Sequence, residues 1–290
     1  MSCKKTIPWQ YNIPIISYLL LRGKCRFCGA SYSPRYLFVE LLTGVMFVSF
    51  YAVFGLTGLY LAYVIMGCGF IVATFVDFGH RIIPDEVSVG GTYAGLLLSL
   101  LIPQMHMETQ PVVSAGRVLM WSLVGILAVG FLWEIFIAKR PLEKGDGLFF
   151  LFVGFFLSLE VVLKLVLDAG MAATFLPYLR SLHSSIIGMF VSGGMIYALG
   201  VLGDIIFRKE SMGGGDVKLM AMVGAFLGWK LAVLAFFIAP VFGAAFGIVE
   251  KIRTGDTTIA YGPFLVLGSL ISLFWGDLII KWIISGYGLY

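Results

Sequence analysis

The stretch "RKESMGGGDVKLMAMVGAFLGW", residues 208–229, joins a polar, glycine-dense segment to an unbroken apolar run. Gly213, Gly214 and Gly215 stand directly before Asp216, and Lys218 follows two positions on. A charge at the centre of a membrane helix costs at least about 2.5–3.5 kcal/mol. A carboxylate at the mouth of an apolar run therefore calls for a chemical reason. Three glycines remove the side chains that would keep another backbone away. They can also interrupt a helix and let an extended strand lie beside the loop.

The rest of the chain supports a membrane reading. Its 290 residues are 60% hydrophobic and 12% charged, whereas a soluble domain is about a quarter charged. A bilayer span needs roughly 20 mostly apolar residues. Windows of that kind lie near 37–55, 58–76, 88–103, 116–138, 148–167, 186–206, 230–250 and 263–285, with a shorter one at 217–228. The apolar runs are continuous rather than alternating, so helices are expected and a membrane barrel is excluded. The expected fold is an all-α, polytopic helical bundle of about nine spans.

Most of the 20 Lys and Arg fall in alternate connections: before residue 36, after the second span, at 139–144, around the glycines and at 251–253. Positive residues stay on the cytoplasmic side. That rule puts the N-terminus, the 78–86 loop, the 139–147 loop, the glycines and the 251–258 loop in the cytoplasm. The stretches 104–115 and 168–184 then read as outside loops. No early apolar region of a secretory signal is present. The basic patches suit topology and lipid head groups, not nucleic acid, since no extended basic domain exists.

Residues 1–36 form a polar segment holding three of the four cysteines. Cys25-Arg26-Phe27-Cys28, followed by Gly29, has the spacing of a zinc-knuckle half-site, and Cys3 is the candidate third ligand. A structural zinc there would tie down a cytoplasmic flap. The bland alternative is a pair of free or redox thiols. Cys68, mid-span, reads as a packing residue.

A second acid, Asp77, closes the second span in "IVATFVDFGHRIIPDEVS", residues 71–88. With the topology above, Asp77 and Asp216 lie at similar depth on one membrane side. Two neighbouring carboxylates cannot easily both ionise, so they share a proton. One then takes a proton from water while the other donates to a carbonyl, which is metal-free hydrolysis of a peptide bond. Against this, Asp216 could be only a helix cap, and Asp77 could merely pair with Arg81. Asp85 reads as the cap of a helix starting near Val87, and His80 as a solvated histidine, with a proton relay as the alternative. Glu40 reads as the partner of a basic residue or as part of a second activity. "EKGDG", Glu143 to Gly147, reads as a solvated loop. Trp229 and Trp275 suit interfacial belts.

Four blocks together resemble the type IV prepilin peptidases, the bacterial GxGD intramembrane aspartyl proteases. They are "WQYNIPIISYLLLRGKCRFCGASYSPRYLFVELLTG" (residues 9–44), "VDFGHRIIPDEVS" (76–88), "KESMGGGDVKLMAMVGAFLGW" (209–229) and "YGPFLVLG" (261–268). The resemblance implies that Asp77 and Asp216 are the catalytic pair and that Gly213 and Gly215 are the GxGD glycines. It matches Cys25 and Cys28 to the family's second cysteine pair and Cys3 to the end of its first. Glu210 and Lys218 flank the motif, where they could orient substrate or simply face the cytoplasm. The implied activity is removal of the basic leader from type IV prepilins or type II secretion pseudopilins, at the cytoplasmic face of the bacterial inner membrane. The resemblance further implies N-methylation of the new N-terminus with S-adenosylmethionine.

The expected organisation is a zinc-knuckle-like segment at 1–36 and a transmembrane peptidase domain at 37–290, with 105–180 carrying an added helix pair. The family has a further helix ahead of its first cysteine, so the chain reads as starting late. Asp77 is followed by Phe78-Gly79-His80, where many relatives carry another acid before the histidine. Two other readings compete. A proton-coupled transporter would use the same acids as relays, though no repeat or midplane carboxylate supports it. A non-catalytic assembly factor would dock a partner through its cysteine loop.

Overall fold

The computed structural model describes residues 5–106, 115–125, 128, 144–168, 175–208, 212–255 and 259–286. Among these residues every regular element is helical. After a 3₁₀ turn at Trp9–Tyr11 come α1 (Ile16–Leu20), α2 (Pro34–Phe54), α3 (Gly58–His80) and α4 (Asp85–Leu101). A 3₁₀ turn at Pro103–His106 leads to α5, helical over 115–125. Then follow α6 (Lys144–Asp168), α7 (Leu176–Phe207), α8 (Gly214–Thr254) and α9 (Gly262–Gly286). Five of these, α2, α3, α7, α8 and α9, are long and apolar enough to cross a membrane. Among the described residues that is fewer than the nine spans expected: α4 has only 17 residues, two expected spans fall within α8, and most of the expected span at 116–138 lies outside the described residues.

The chain divides into two compact units, Met1–Ile71 and Val72–Tyr290. In the first, Pro34 starts α2 and Ser33 Oγ accepts the Arg35 N–H at 3.3 Å. The polar segment ahead of α2 folds back through Tyr32 N–H to Gly23 O at 2.7 Å. Glu40 Oε2 accepts the Ile15 N–H at 2.7 Å, where Ile15 holds φ 63° at the head of α1. Glu40 thus bonds a backbone amide rather than a basic side chain. Cys68, expected to pack, is exposed on the surface of α3.

The second unit turns on a break in α8. Gly228 has φ 76° and ψ 169°, a backbone state that L side chains rarely adopt. Ahead of the break, α8 runs alongside α4: Gly215 lies by Ile83, Gly91 by Met222 and Gly95 by Phe226. After it, α8 runs against α9: Leu231 lies by Gly276, Ala235 by Gly268 and Tyr261 by Gly243. At 1.5 Å per residue each arm is roughly 20 Å or longer. The chain therefore reverses at Gly228, and α8 is a helical hairpin with both free ends at the Asp216 side. The two apolar windows expected at 217–228 and 230–250 are its two arms.

A broken helix in lipid leaves carbonyls without intrahelical partners, and each must find a donor. Ala225 O accepts from Ser185 Oγ at 2.7 Å and meets His106 Nε2 at 3.0 Å. The carbonyl has no proton, so Nε2 is the donor. Burial pulls the His106 pKa down to about 4, which keeps that imidazole neutral. Ser192 Oγ reaches Met220 O at 2.6 Å, and Ser272 Oγ of α9 reaches Leu231 O at 2.6 Å. Between α6 and α7, buried Glu160 Oε1 meets buried His183 Nε2 at 3.1 Å.

Two expectations are corrected by these helices. The expected outside loop at 168–184 is helical from Leu176, and Ser181, His183 and Ser184 are buried in α7. Pro177 begins that helix, and its polar residues are turned inward against α6 and α8 rather than toward water. The "EKGDG" stretch is helical from Lys144, the first residue of α6; Glu143 lies outside the described residues.

Where α7 and α8 cross, Gly188 and Gly224 face each other so closely that a Cβ on either would strike the other's carbonyl oxygen. Close approach of small residues is how membrane helices gain packing energy without a hydrophobic driving force. Gly224→Ala is expected to cost about 1–3 kcal/mol by overpacking, read as a lower thermal unfolding midpoint in detergent. Gly90→Ala, where an added Cβ meets nothing within 4 Å, is expected to hold or raise that midpoint.

Candidate active site

Three helix ends in the second unit bring the site together. The first is the C-terminus of α3, which carries Asp77. The helix closes as Arg81 N–H bonds Asp77 O at 2.8 Å, with Arg81 at φ 56°. The second is the N-terminus of α8. Gly213 is its extended cap residue at φ −74° and ψ 142°, so Asp216 is the third helical residue. From there the Asp216 carboxylate reaches back to the Gly213 amide, the side-chain half of a capping box. Asp216 is therefore an acid of the first turn, and the cap position proposed for it as an alternative belongs to Gly213.

The third end is the N-terminus of α9. Gly262 N–H donates to Asp77 Oδ2 at 3.0 Å in a buried bond. Asp77 is only 6% exposed. The charges of Asp77 and Asp216 act on each other, and Asp216 also acts on Tyr261, just outside α9. Burial first, and the Asp216 charge second, push the Tyr261 phenol up to about 12.

Ile83 fills the space between these ends. A Cβ on Gly215 would come within 3.2 Å of Ile83 Cβ, and one on Gly262 within 3.1 Å of Ile83 Cδ1. The three motif glycines thus differ in function. Gly215 makes room for Ile83, a Cβ on Gly213 would lie 3.5 Å from Asp216 Oδ2, and Gly214 faces open space. Neither Ile83 nor Gly262 nor Tyr261 stands out in sequence as a site residue. The available signal was Tyr-Gly-Pro at the start of an apolar run, a helix-start pattern.

Lys218 Nζ holds both oxygens of Asp85, at 2.7 and 2.9 Å. The pair is exposed, so it contributes at most about 1 kcal/mol. Asp85 does not cap α4 from outside, as expected, but is its first residue, with Pro84 in the cap position. Its carboxylate is drawn to Lys218 instead. His80 is exposed at the end of α3. Glu210 lies outside the described residues, as does Cys3.

In the first unit, Cys25 and Cys28 sit on a tight turn. Cys25 N–H bonds Ala30 O at 2.7 Å, and Gly29 N–H returns to Cys25 O at 3.0 Å with Gly29 at φ 71°. The backbone amides of Cys28 and then Phe27 point at the Cys25 sulfur, followed by the Tyr32 side chain, and they lower its pKa to about 6. That arrangement fits half of a tetrahedral thiolate site. Among the described residues no group of three or more His, Cys, Asp or Glu could hold a metal ion.

Comparison with known proteins gives this geometry a family. The model of the bacterial Peptidase A24 N-terminal domain matches residues 1–54, and that of the type IV leader peptidase family matches residues 166–248. A Legionella pneumophila protein named prepilin leader peptidase/N-methyltransferase is 30% identical over 289 residues, covering 98% of this chain and 74% of its own. The chain belongs to the type IV leader peptidase family. Proteins of the same name from Aeromonas hydrophila and Myxococcus xanthus are 26% and 27% identical, covering 98% and 94% of this chain and 73% and 79% of their own. No solved structure matches.

The amides of Cys28 and Phe27 make Cys25 an acidic thiol in the N-terminal region of this leader peptidase family member. Thiolates react and thiols do not. In metal-stripped protein, the rate of Cys25 alkylation by iodoacetamide is therefore expected to rise through about pH 6 and level off above it. Peptide mass mapping across a pH series checks this; an inflection near the ordinary thiol value would contradict it.

Proposed function

We propose that this chain is an intramembrane aspartic endopeptidase that cuts the basic leader from type IV prepilins or type II secretion pseudopilins. One observation supports the reading above others. Asp77 and Asp216, from separate helix ends, come close enough for their charges to interact, in a chain of the leader peptidase family. The two acids share one proton. The ionised carboxylate takes a proton from water as its oxygen attacks the scissile carbonyl carbon. The protonated one gives its proton to the carbonyl oxygen. Collapse of the tetrahedral intermediate breaks the C–N bond, and the proton taken from water passes to the leaving amine.

The site lies at the ends of helices, not at their middles. That suits cleavage beside a membrane segment, at the cytoplasmic face of a bacterial inner membrane. A substrate helix must unwind there, because its carbonyls are otherwise bonded. Asp77, Glu86 and Asp216 give the mouth a negative character that attracts a basic leader; Asp85 is largely offset by Lys218.

The relatives' printed names include an N-methyltransferase, and we carry that to this chain as a second activity on the new N-terminus. Bound S-adenosylmethionine would supply the methyl group. Zinc held by Cys25, Cys28 and Cys3 would brace the cysteine turn, and adding zinc would slow Cys25 alkylation. The transporter reading invokes the same two acids, but the relatives are named for leader-peptide processing.

The test is cleavage of a prepilin by detergent-purified protein, with mass spectrometry of the product's N-terminus. Asp77→Asn and Asp216→Asn are each expected to lower kcat at least about 10²–10⁴-fold, the span of general acid–base catalysis. Full cleavage by either variant would sink the aspartic reading. A methyl mass on the product would establish the second activity.

A further inference from the structure

We propose that Gly262 is a positioning residue for Asp77: its N–H fixes one carboxylate oxygen, and its lack of a side chain leaves room for that carboxylate to face Asp216. The proposal rests on the aspartic reading above and adds a third helix to the site.

The need for glycine here is one of space. Gly262 does not adopt the positive φ that marks Gly228 and Gly255, so any L-residue could take its backbone shape. The following Pro263 would equally suit other residues at a helix start. What forbids a side chain is Asp77 itself. An added Cβ would lie 2.7 Å from Asp77 Oδ2 and 3.3 Å from its Cγ.

Nor can the surroundings yield easily. Ile83, the other neighbour of that Cβ, is 6% exposed and already abuts Gly215. The helix cannot back away either. Along α9, a Cβ on Gly268 would strike Ala235 O, and Ser272 Oγ is bonded to Leu231 O at 2.6 Å. The Asp77 carboxylate is the part left to move.

Its present position carries chemical consequences. The Gly262 amide occupies Oδ2 at 3.0 Å and leaves Oδ1 for water or the shared proton. An amide bonded to a carboxylate at a helix N-terminus is charge-assisted and aligned with the helix dipole. The other charged or titratable groups acting on this centre are Arg81 at the end of α3, Asp216 from α8 and Tyr261 just outside α9. Arg81 gives its backbone N–H to the Asp77 carbonyl oxygen; the N–H on the carboxylate is that of Gly262. A misplacement of about 1 Å can cost roughly 10²-fold in rate.

The experiment is a double-mutant cycle on the full chain in detergent micelles. Gly262→Ala is expected to lower kcat on a prepilin substrate by about 10²-fold, with KM within about twofold, since substrate contacts elsewhere remain. Gly90→Ala, on an open face of α4, is the matched control and should keep wild-type kinetics. Thermal unfolding closes the cycle. Gly262→Ala should lower the midpoint in the wild-type background and do so much less beside Asp77→Ala, because the clashing carboxylate is then gone. Unchanged kcat, or an equal midpoint loss in both backgrounds, would overturn the proposal. The unfolding cycle reads the contact alone, whereas Asp77→Asn activity reads the catalytic role, so either can fail without the other.

Discussion

A bilayer offers the backbone no water to bond with, so every N–H and C=O within it must be answered from inside the protein. The break at Gly228 is where that demand is sharpest. It reverses α8 and frees carbonyls at the turn. Ser185 and His106 answer the Ala225 carbonyl, while Ser192 and Ser272 tie Met220 and Leu231 to neighbouring helices. Each of those donors comes from a different part of the chain than its acceptor's arm. The hairpin therefore cannot form alone; it needs α7, α9 and the turn after α4 around it.

The same constraint explains where the acids sit. Helix ends are the places in such a fold where amides point outward unpaired. Asp77 takes the amide at the start of α9, and Asp216 takes the amide that opens its own helix. A carboxylate buried anywhere along the helix bodies would lack such donors. Reactivity and structural satisfaction thus use the same geometry: the groups that make burial tolerable are those that aim the carboxylates. Ile83, wedged beside Gly215 and Gly262, keeps apolar contact against the centre.

Much of this was legible beforehand. Continuous apolar runs gave the helices. The acids announced themselves because a greasy chain holds few of them. The polar stretch at 168–184 misled because it was read by composition as solvated. In the folded chain His183 meets Glu160 and Ser185 meets Ala225 O, and no local pattern reveals partners that distant. Asp85 misled for the converse reason: a cap pattern was present, but Lys218 drew its carboxylate elsewhere.

The sequence by itself determined that the chain is helical, suited to a membrane, and equipped with two acids at the ends of apolar runs. It also determined the acidic thiol's turn, since a Cys-x-x-Cys-Gly loop is short enough to close on itself. Only the tertiary structure decided that α8 folds back at Gly228, that α9 begins against Asp77, and that Gly262 must lack a side chain. The physical reason is range. Helix formation and turn closure are settled by neighbours a few residues apart. A carboxylate's partner and a glycine's free space are set by atoms brought together from opposite ends of the chain.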